Sequence, residues 1–392
     1  MQNHPERFRG ALMDEHAPLV TVTVCVRNGA KWVEGCMDSL LKQTWRPLEI
    51  VAVDDGSTDG SGELLQAFHD PTGEVPVHVL RRPAEGLSAG RDAAAEAGNG
   101  EWIAITDIDV RPMPDWIEAL MAARLGLDNE DVTAVTGRTI FEEGDDLVSR
   151  LRSIEIERKY RSRPRRTSLA NGPCSMFRSE ALRATGGFDP SWYHAEDMEV
   201  SLRMLSSGGT IVYTPDAMVR HVPEEGRQRF VAKRRRDARA HVRIMRRWPR
   251  RARKGMAFDF LGTPLLVLTM MPLRVASWVA FLAALGPSIL WRVQQGGGGT
   301  LPVDLMASTM TGLTVWAGLV FLSECVMWGS ALGAVNREVM ANVRRRNRLA
   351  WMVSKAAYSL RMLLLAWSWA LWTGLMLGAL DALTGRNGHR RR

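Results

Sequence analysis

Val53-Asp54-Asp55-Gly56-Ser57-Thr58-Asp59 follows an apolar run, Leu48-Glu49-Ile50-Val51-Ala52, and precedes a helix-like stretch from Gly60 to Phe68. Buried strand, turn, helix is the order this implies. It puts two adjacent carboxylates at the C-terminal mouth of a strand, where open α/β sheets collect their ligands. The pattern repeats on either side. Leu19 to Val26 is β-branched and bounded by Pro18 and Gly29, which predicts a buried strand. Val33, Met37, Leu40 and Leu41 recur at helical spacing within Trp32–Gln43. Strands are then expected at Val75–Leu80, Trp102–Thr106 and Val132–Ile140, with helices at Glu63–Phe68, Ser88–Ala97 and Trp116–Leu125. Strands alternating with helices of about ten residues imply crossover units and a mainly parallel sheet.

The charge excess of +8 is uneven over the 392 residues. Arg227 to Lys254 hold fourteen Lys or Arg and one acid, Asp237, and the chain then turns apolar. The apolar stretches, about Phe260–Trp291, Leu301–Gly333 and Ala356–Leu383, each exceed the roughly twenty helical residues that cross a ~30 Å hydrocarbon core. Asp304, Glu324 and Arg361 interrupt them, near their ends or facing neighbouring helices. Five segments follow: a polar tail 1–17, an α/β domain 18–225, a basic juxtamembrane segment 226–255, about three transmembrane helices within 256–385, and a basic tail 386–392. Four cysteines, Cys25, Cys36, Cys174 and Cys325, have neither paired metal spacing nor disulfide density, so they are expected to be reduced packing residues.

Further motifs carry the chemistry. Asp107-Ile108-Asp109 ends the fourth strand; carboxylates one residue apart at a strand end reach a hard divalent cation and a ribose together. Gly86-Leu87-Ser88-Ala89-Gly90-Arg91-Asp92 is a small-residue loop entering a helix, and such an N-terminus favours an anion. Asn171-Gly172-Pro173-Cys174-Ser175-Met176-Phe177 precedes Gly186-Gly187-Phe188-Asp189 and then Glu196-Asp197. In this order, across roughly residues 18 to 225, the motifs resemble glycosyltransferase family 2, whose members move a sugar from a nucleotide diphosphate donor.

The resemblance implies a Rossmann-like nucleotide-diphospho-sugar transferase domain with a mixed, mainly parallel sheet, followed by an α-helical membrane region. It places Arg27, Asn28, Asp54, Asp55, Arg91 and Asp107 at the donor, and Asp109 with His221 on Mn²⁺ or Mg²⁺. Asp197 matches the base of an inverting transfer, with Glu196 positioning the acceptor or the helix, and Asn171, Gly172 and Trp192 lie on the acceptor side. Plainer readings stand beside these: an Asp-Gly-Ser turn capping a helix, Arg91 in a surface salt bridge, the Glu196-Asp197 pair as helix caps, and Trp192 and His221 as packing residues.

The implied function is transfer to a lipid-linked or glycan acceptor at a membrane, in cell-surface glycoconjugate synthesis. A processive polysaccharide synthase and a non-catalytic nucleotide-sugar-binding relative are the alternatives. Ile244-Met245-Arg246-Arg247-Trp248 lacks the glutamine of the Gln-x-x-Arg-Trp signature that processive relatives carry, which favours single-sugar transfer. A nucleic-acid partner is not expected, because the arginines sit beside the first apolar span. Both basic loops, Arg227–Lys254 and Arg337–Arg348, are expected on the cytoplasmic side, as is the catalytic domain, since the first eighteen residues of the chain have no apolar signal core. Three full spans would then leave the basic tail on the far side, a conflict within the charge pattern itself.

Overall fold

The structure is a computed structural model that describes residues 17–125, 132–192, 194–249, 263–329, 331–341 and 355–385. The basic tail 386–392, nearly all of the polar tail 1–17, and the basic residues 250–254 and 342–348 lie outside the described residues.

Among the described residues eight strands form one sheet in the order β3-β2-β1-β4-β7-β6-β8-β5. The first half is parallel. β1 (Val20–Val26) runs beside both β2 (Leu48–Asp55) and β4 (Trp102–Asp107), and β2 beside β3 (Val77–Arg82). The second half is mixed: β7 (Ser175–Arg178) is antiparallel to β4 and to β6 (Val132–Phe141), β6 is parallel to β8 (Thr210–His221), and β5 (Val110–Pro112) closes the far edge against β8. The expected mixed, mainly parallel sheet is therefore present.

Alternation along the strands divides the core, because successive side chains point to opposite faces. Val20, Val22, Val24, Ile50, Ala52 and Ala104 pack on one side with Met37 and Leu40 of α1 (Ala30–Leu41) and Trp116 and Leu120 of α4 (Trp116–Leu125). Ile103, Ile105 and Phe177 pack on the other with Leu182 of α6 (Ser179–Ala184), Phe188, and Val200 and Met204 of α7 (Glu196–Ser206). Between them in the chain lie α2 (Ser61–Gln66), α3 (Leu87–Ala97) and α5 (Leu147–Arg161).

Two boundaries move for physical reasons. Helix α1 starts before Trp32 because the Ala30 N–H donates to Asp59 Oδ2 and the Gly29 N–H to Ser61 Oγ, each at 3.0 Å. The cap comes from the next turn of the chain rather than from local sequence. Strand β3 begins at Val77 rather than Val75 because Pro76 has no N–H for the ladder. Three of the cysteines, Cys25, Cys36 and Cys174, are buried and all four are free thiols; burial pushes the three buried thiols up to about 12.

After the sheet comes α8 (Arg227–Arg247), the described part of the basic run, then α9 (Thr263–Leu268), α10 (Met270–Gln294), α11 (Val303–Gly329), α12 (Ala331–Val339) and α13 (Lys355–Thr384). Among the described residues three segments are long and apolar enough to cross a membrane: Pro264–Gln294, Val303–Gly329 and Lys355–Thr384, with mean hydropathies of 1.8, 1.6 and 1.6. Helices α10 and α11 leave Trp278, Leu282, Ile289, Met310 and Phe321 outward-facing, a surface suited to lipid. Helix α13 is more enclosed. Its Trp367 meets Phe230 of α8 edge-on at 5.2 Å, and Asp381 accepts two hydrogen bonds from Arg239. Glu324 and Arg361 do face neighbouring helices: Arg361 donates to both Glu324 oxygens, at 3.2 and 2.8 Å, and Arg274 lies 3.5 Å away.

Candidate active site

The C-terminal ends of β1, β2 and β4 converge on the turn after β2. Asn28, held at a positive φ of 54°, donates its backbone N–H to Ser57 Oγ at 3.0 Å, and its Oδ1 accepts from the Thr58 N–H at 2.8 Å. The loop after β1 and the Asp-Gly-Ser-Thr turn thus fix one another. Asp54 and Asp55 point to opposite sides, as adjacent strand residues must. Asp54 Oδ1 accepts from the Ser57 N–H at 3.0 Å, the turn-capping role. Asp55 accepts from the backbone N–H groups of Glu85 (2.7 Å) and Gly86 (3.0 Å), and Arg27 lies 3.9 Å from its Oδ2. Asp55 therefore anchors the small-residue loop that opens α3.

From that helix Arg91 projects into the centre of the site, 2 % exposed. One guanidinium nitrogen pairs with Asp107 at 2.7 Å and the other with Glu196 at 2.5 Å. It is not a surface pair. Asp107 and Glu196, with Asp197 nearby, hold Arg91 firmly protonated, while burial pushes the Glu196 carboxyl upward against the pull of Arg91. Gly172 is the position where nothing larger fits: a Cβ there would stand 2.9 Å from Arg91 and 3.4 Å from Asp197. Its N–H donates to Asp197 Oδ2 at 2.9 Å, and the Met198 N–H donates to Oδ1 at 2.8 Å. Each Asp197 oxygen keeps a free lone pair at the start of α7.

Asp109 and His221 meet across the β5–β8 edge, where Val110 pairs with His221 in register. His221 Nε2 lies 3.5 Å from Asp109 Oδ1, and Nδ1 lies 2.7 Å from the Val222 carbonyl. A carbonyl only accepts, so Nδ1 carries a proton and leaves Nε2 as the nitrogen aimed at Asp109, the orientation of metal-ligating histidines. Phe141 stacks on the ring at 4.3 Å and fixes its plane. Among the described residues no three Asp, Glu, His or Cys side chains converge as a metal cluster. Two donors on one point still fit a Mg²⁺- or Mn²⁺-type ion that takes its remaining ligands from phosphate and water.

Two acceptor-side residues are occupied with structure. Asn171 is buried and bonded to Thr136, Thr139 and Arg163. Trp192 is 3 % exposed, packed with Leu202 and Ile244 under the guanidinium of Arg243, 3.9 Å from the ring centre. One residue absent from the sequence reading enters the site. Arg229 of α8 reaches within 3.8 Å of Asp109 Oδ2 and lies over the Trp32 ring. Nothing local marked it among the arginines of the basic run.

Residues 21–186 match the family model described as glycosyl transferase family 2. A pre-mycofactocin glycosyltransferase of Mycobacterium tuberculosis is 29% identical over 212 residues, 52% of this chain and 42% of that protein. A hyaluronan synthase of Pasteurella multocida is 26% identical over 49% of this chain and 19% of its own length. The chain thus spans less than half the length of these curated relatives. A mannosyltransferase of Pyrobaculum calidifontis, solved with GDP-Man and Mn²⁺, superposes with a TM-score of 0.50 at 18% identity, covering 97% of this chain and 93% of that one. At that identity the likeness concerns the fold.

Proposed function

We propose that the chain is a membrane-bound inverting glycosyltransferase that moves a hexosyl group from a nucleotide diphosphate sugar to a lipid-linked or glycan acceptor in cell-envelope synthesis, a reading supported by the match of residues 21–186 to the glycosyl transferase family 2 model and by the three apolar helices that follow among the described residues. The observation that carries this reading is the Arg91 clamp, which draws the strand-end acid Asp107 and the helix-start acid Glu196 together beside Asp197.

The donor lies across the ends of β1, β2 and β4, with Arg27, Asn28, Asp54 and Asp55 around the nucleotide and Asp107 at the ribose or sugar. Asp109 and His221 would hold a Mn²⁺ or Mg²⁺, which would supply Lewis-acid charge to offset a departing diphosphate. Asp197 takes the proton from the acceptor hydroxyl as its oxygen attacks the anomeric carbon from the face opposite the leaving group. Its two N–H donors fix both oxygens, so the lone pair is aimed before the acceptor arrives. Glu196 acts through Arg91, neutralising and aligning it. The donors of relatives support a nucleotide sugar without naming the sugar here. The sequence Ile244–Trp248, at the end of α8, favours transfer of single sugars.

Incubating the detergent-purified protein with a panel of nucleotide sugars and scoring released nucleoside diphosphate tests the reading. Release from one donor is expected, and it should stop in excess chelator. Release from none of them, in the presence of Mn²⁺ and membrane lipid extract, would overturn it.

A further inference from the structure

Between α8, α13 and the residues Asp189, Trp192 and His194 lies a recess of about 870 Å³. Its lining carries eight Lys or Arg side chains against two carboxylates, Asp189 and Asp381. Some of the charge is matched. Arg239 is held on Asp381, Lys233 lies 3.9 Å from Glu224, and Arg243 is fixed to the Ser191 carbonyl at 2.6 Å. Arg235, Arg246 and Arg247 meet no carboxylate among the described residues, and all three are exposed in the recess. Like charges gathered round one space repel, so the space favours an anion between them.

The position of the recess narrows the anion. One wall is α13, one of the three helices apolar enough to span a membrane, which contributes Leu377 and Ala382. The segment on the other side, containing Trp192 and His194, runs directly into Glu196 and Asp197. Arg229 lies at the end near the strand-end acids, 3.8 Å from Asp109. Residues that only anchored the protein to an anionic bilayer would have no reason to enclose a space between an apolar helix and His194, two residues before the acid pair.

We infer that this recess binds the phosphate or diphosphate group of a membrane lipid, with the hydrocarbon along α13 and the headgroup toward His194 and Arg229, at the approach to the acid pair. The inference rests on the transferase reading and names its acceptor class: a saccharide, or its precursor, carried on a lipid through a phosphate linkage. Arginine suits this task because its planar fork pairs with phosphate oxygens two at a time.

The test is equilibrium binding of farnesyl diphosphate to the full chain in neutral detergent, with UDP and GDP present to fill the donor site. Farnesol and inorganic pyrophosphate serve as the other probes. Farnesyl diphosphate is expected to bind. Farnesol and pyrophosphate should each bind on the order of tenfold more weakly or worse, since each offers half of the match. The R246E/R247E double variant should lose on the order of tenfold in farnesyl diphosphate affinity while keeping the melting temperature and nucleoside diphosphate binding of the parent. Pyrophosphate binding as tightly as farnesyl diphosphate would make this a free-anion site, and farnesol doing so would make it an apolar groove; either overturns the inference. Undiminished binding to the double variant overturns it too. Donor turnover in the nucleotide-sugar panel is read separately, so a failed lipid assignment leaves the transferase reading standing.

Discussion

At the scale of single residues the site is a set of carboxylates distributed round one buried arginine. Asp197→Asn preserves size and both N–H contacts but removes the proton acceptor. Turnover is expected to fall on the order of 10²- to 10⁴-fold, with nucleoside diphosphate binding unchanged; wild-type turnover would move the base to another residue. Asp109→Ala should abolish most metal-dependent turnover, and full activity of that variant in excess chelator would remove the metal assignment. Arg91 is different because it is structural as well. Arg91→Met leaves Glu196 buried without its partner, a loss of roughly 3–5 kcal/mol for breaking a buried pair. The sign of the pH dependence follows. Burial raises the Glu196 carboxyl, and without Arg91 it rises further. A group raised in the folded state favours folding when protonated, so its deficit is smallest below the unfolded carboxyl value of about 4.3 and grows as pH rises through the folded value. Thermal melts should therefore show a smaller loss for Arg91→Met at about pH 5 than at about pH 8; an equal loss at both would mean that Glu196 is not the group left uncompensated. These acids were legible in the sequence because each lies within a short local motif. The Arg91–Glu196 contact was not: it joins α3 to α7 over a separation of 105 residues, and Arg91 viewed alone is equally a surface residue. Arg229 was illegible for the same reason, since only the return of the chain past β8 brings α8 to Asp109.

At the scale of elements, β1, β2 and β4 are readable because they are buried on both faces, and unbroken β-branched runs leave little choice of structure. What the sequence did not disclose are features set by partners distant in the chain. The start of α1 is capped from the Asp59–Ser61 turn. Strand β7, four residues long, sits antiparallel in a sheet that begins as parallel, and takes that place only because β4 and β6 flank it. The close packing of α8 on α13 is equally silent in a hydropathy pattern, yet it shapes the recess. Its determinants are Gly374 and Gly378. A Cβ at Gly374 would stand 2.7 Å from the Ala238 Cβ and closer still to the Arg235 carbonyl, and one at Gly378 would stand 2.8 Å from the Arg239 carbonyl. Small residues one turn apart let two helical backbones approach. Gly374→Leu should therefore push α13 away from α8, strain the Arg239–Asp381 pair, and lower the melting temperature in detergent. Overpacking of this kind costs typically about 1–3 kcal/mol. Nucleoside diphosphate binding should survive, because the donor-side strands do not touch this seam; its loss would show that the helices also support the sheet.

At the scale of the whole molecule, a polar catalytic sheet and a lipid-like helical surface are joined by one arginine-rich helix, and that junction determines which way the protein faces. Arg and Lys flanking apolar spans stay on the cytoplasmic side, and juxtamembrane cations near an anionic surface contribute about 1 kcal/mol each. Helix α8 touches the active site through Arg229 and the third apolar helix through Arg239, so the catalytic domain follows the basic helix to whichever side it takes. Helices α10 and α11 pack against one another before α13, and Glu324 with Arg361 and Arg274 ties the three helices together where lone charges would be expensive. Helix α13 is bound on one flank by α8, which favours a partly enclosed position over a free-standing span and eases the conflict that three full crossings create. The prediction is that in sealed inside-out vesicles a cysteine introduced at Ser57 reacts with a membrane-impermeant maleimide, and in right-side-out vesicles it does not. Cys325, on the outward-facing side of α11, should stay unlabelled in both. Labelling at position 57 from the outer face alone would reverse the orientation, and extraction of the full chain into buffer without detergent would remove the membrane assignment altogether.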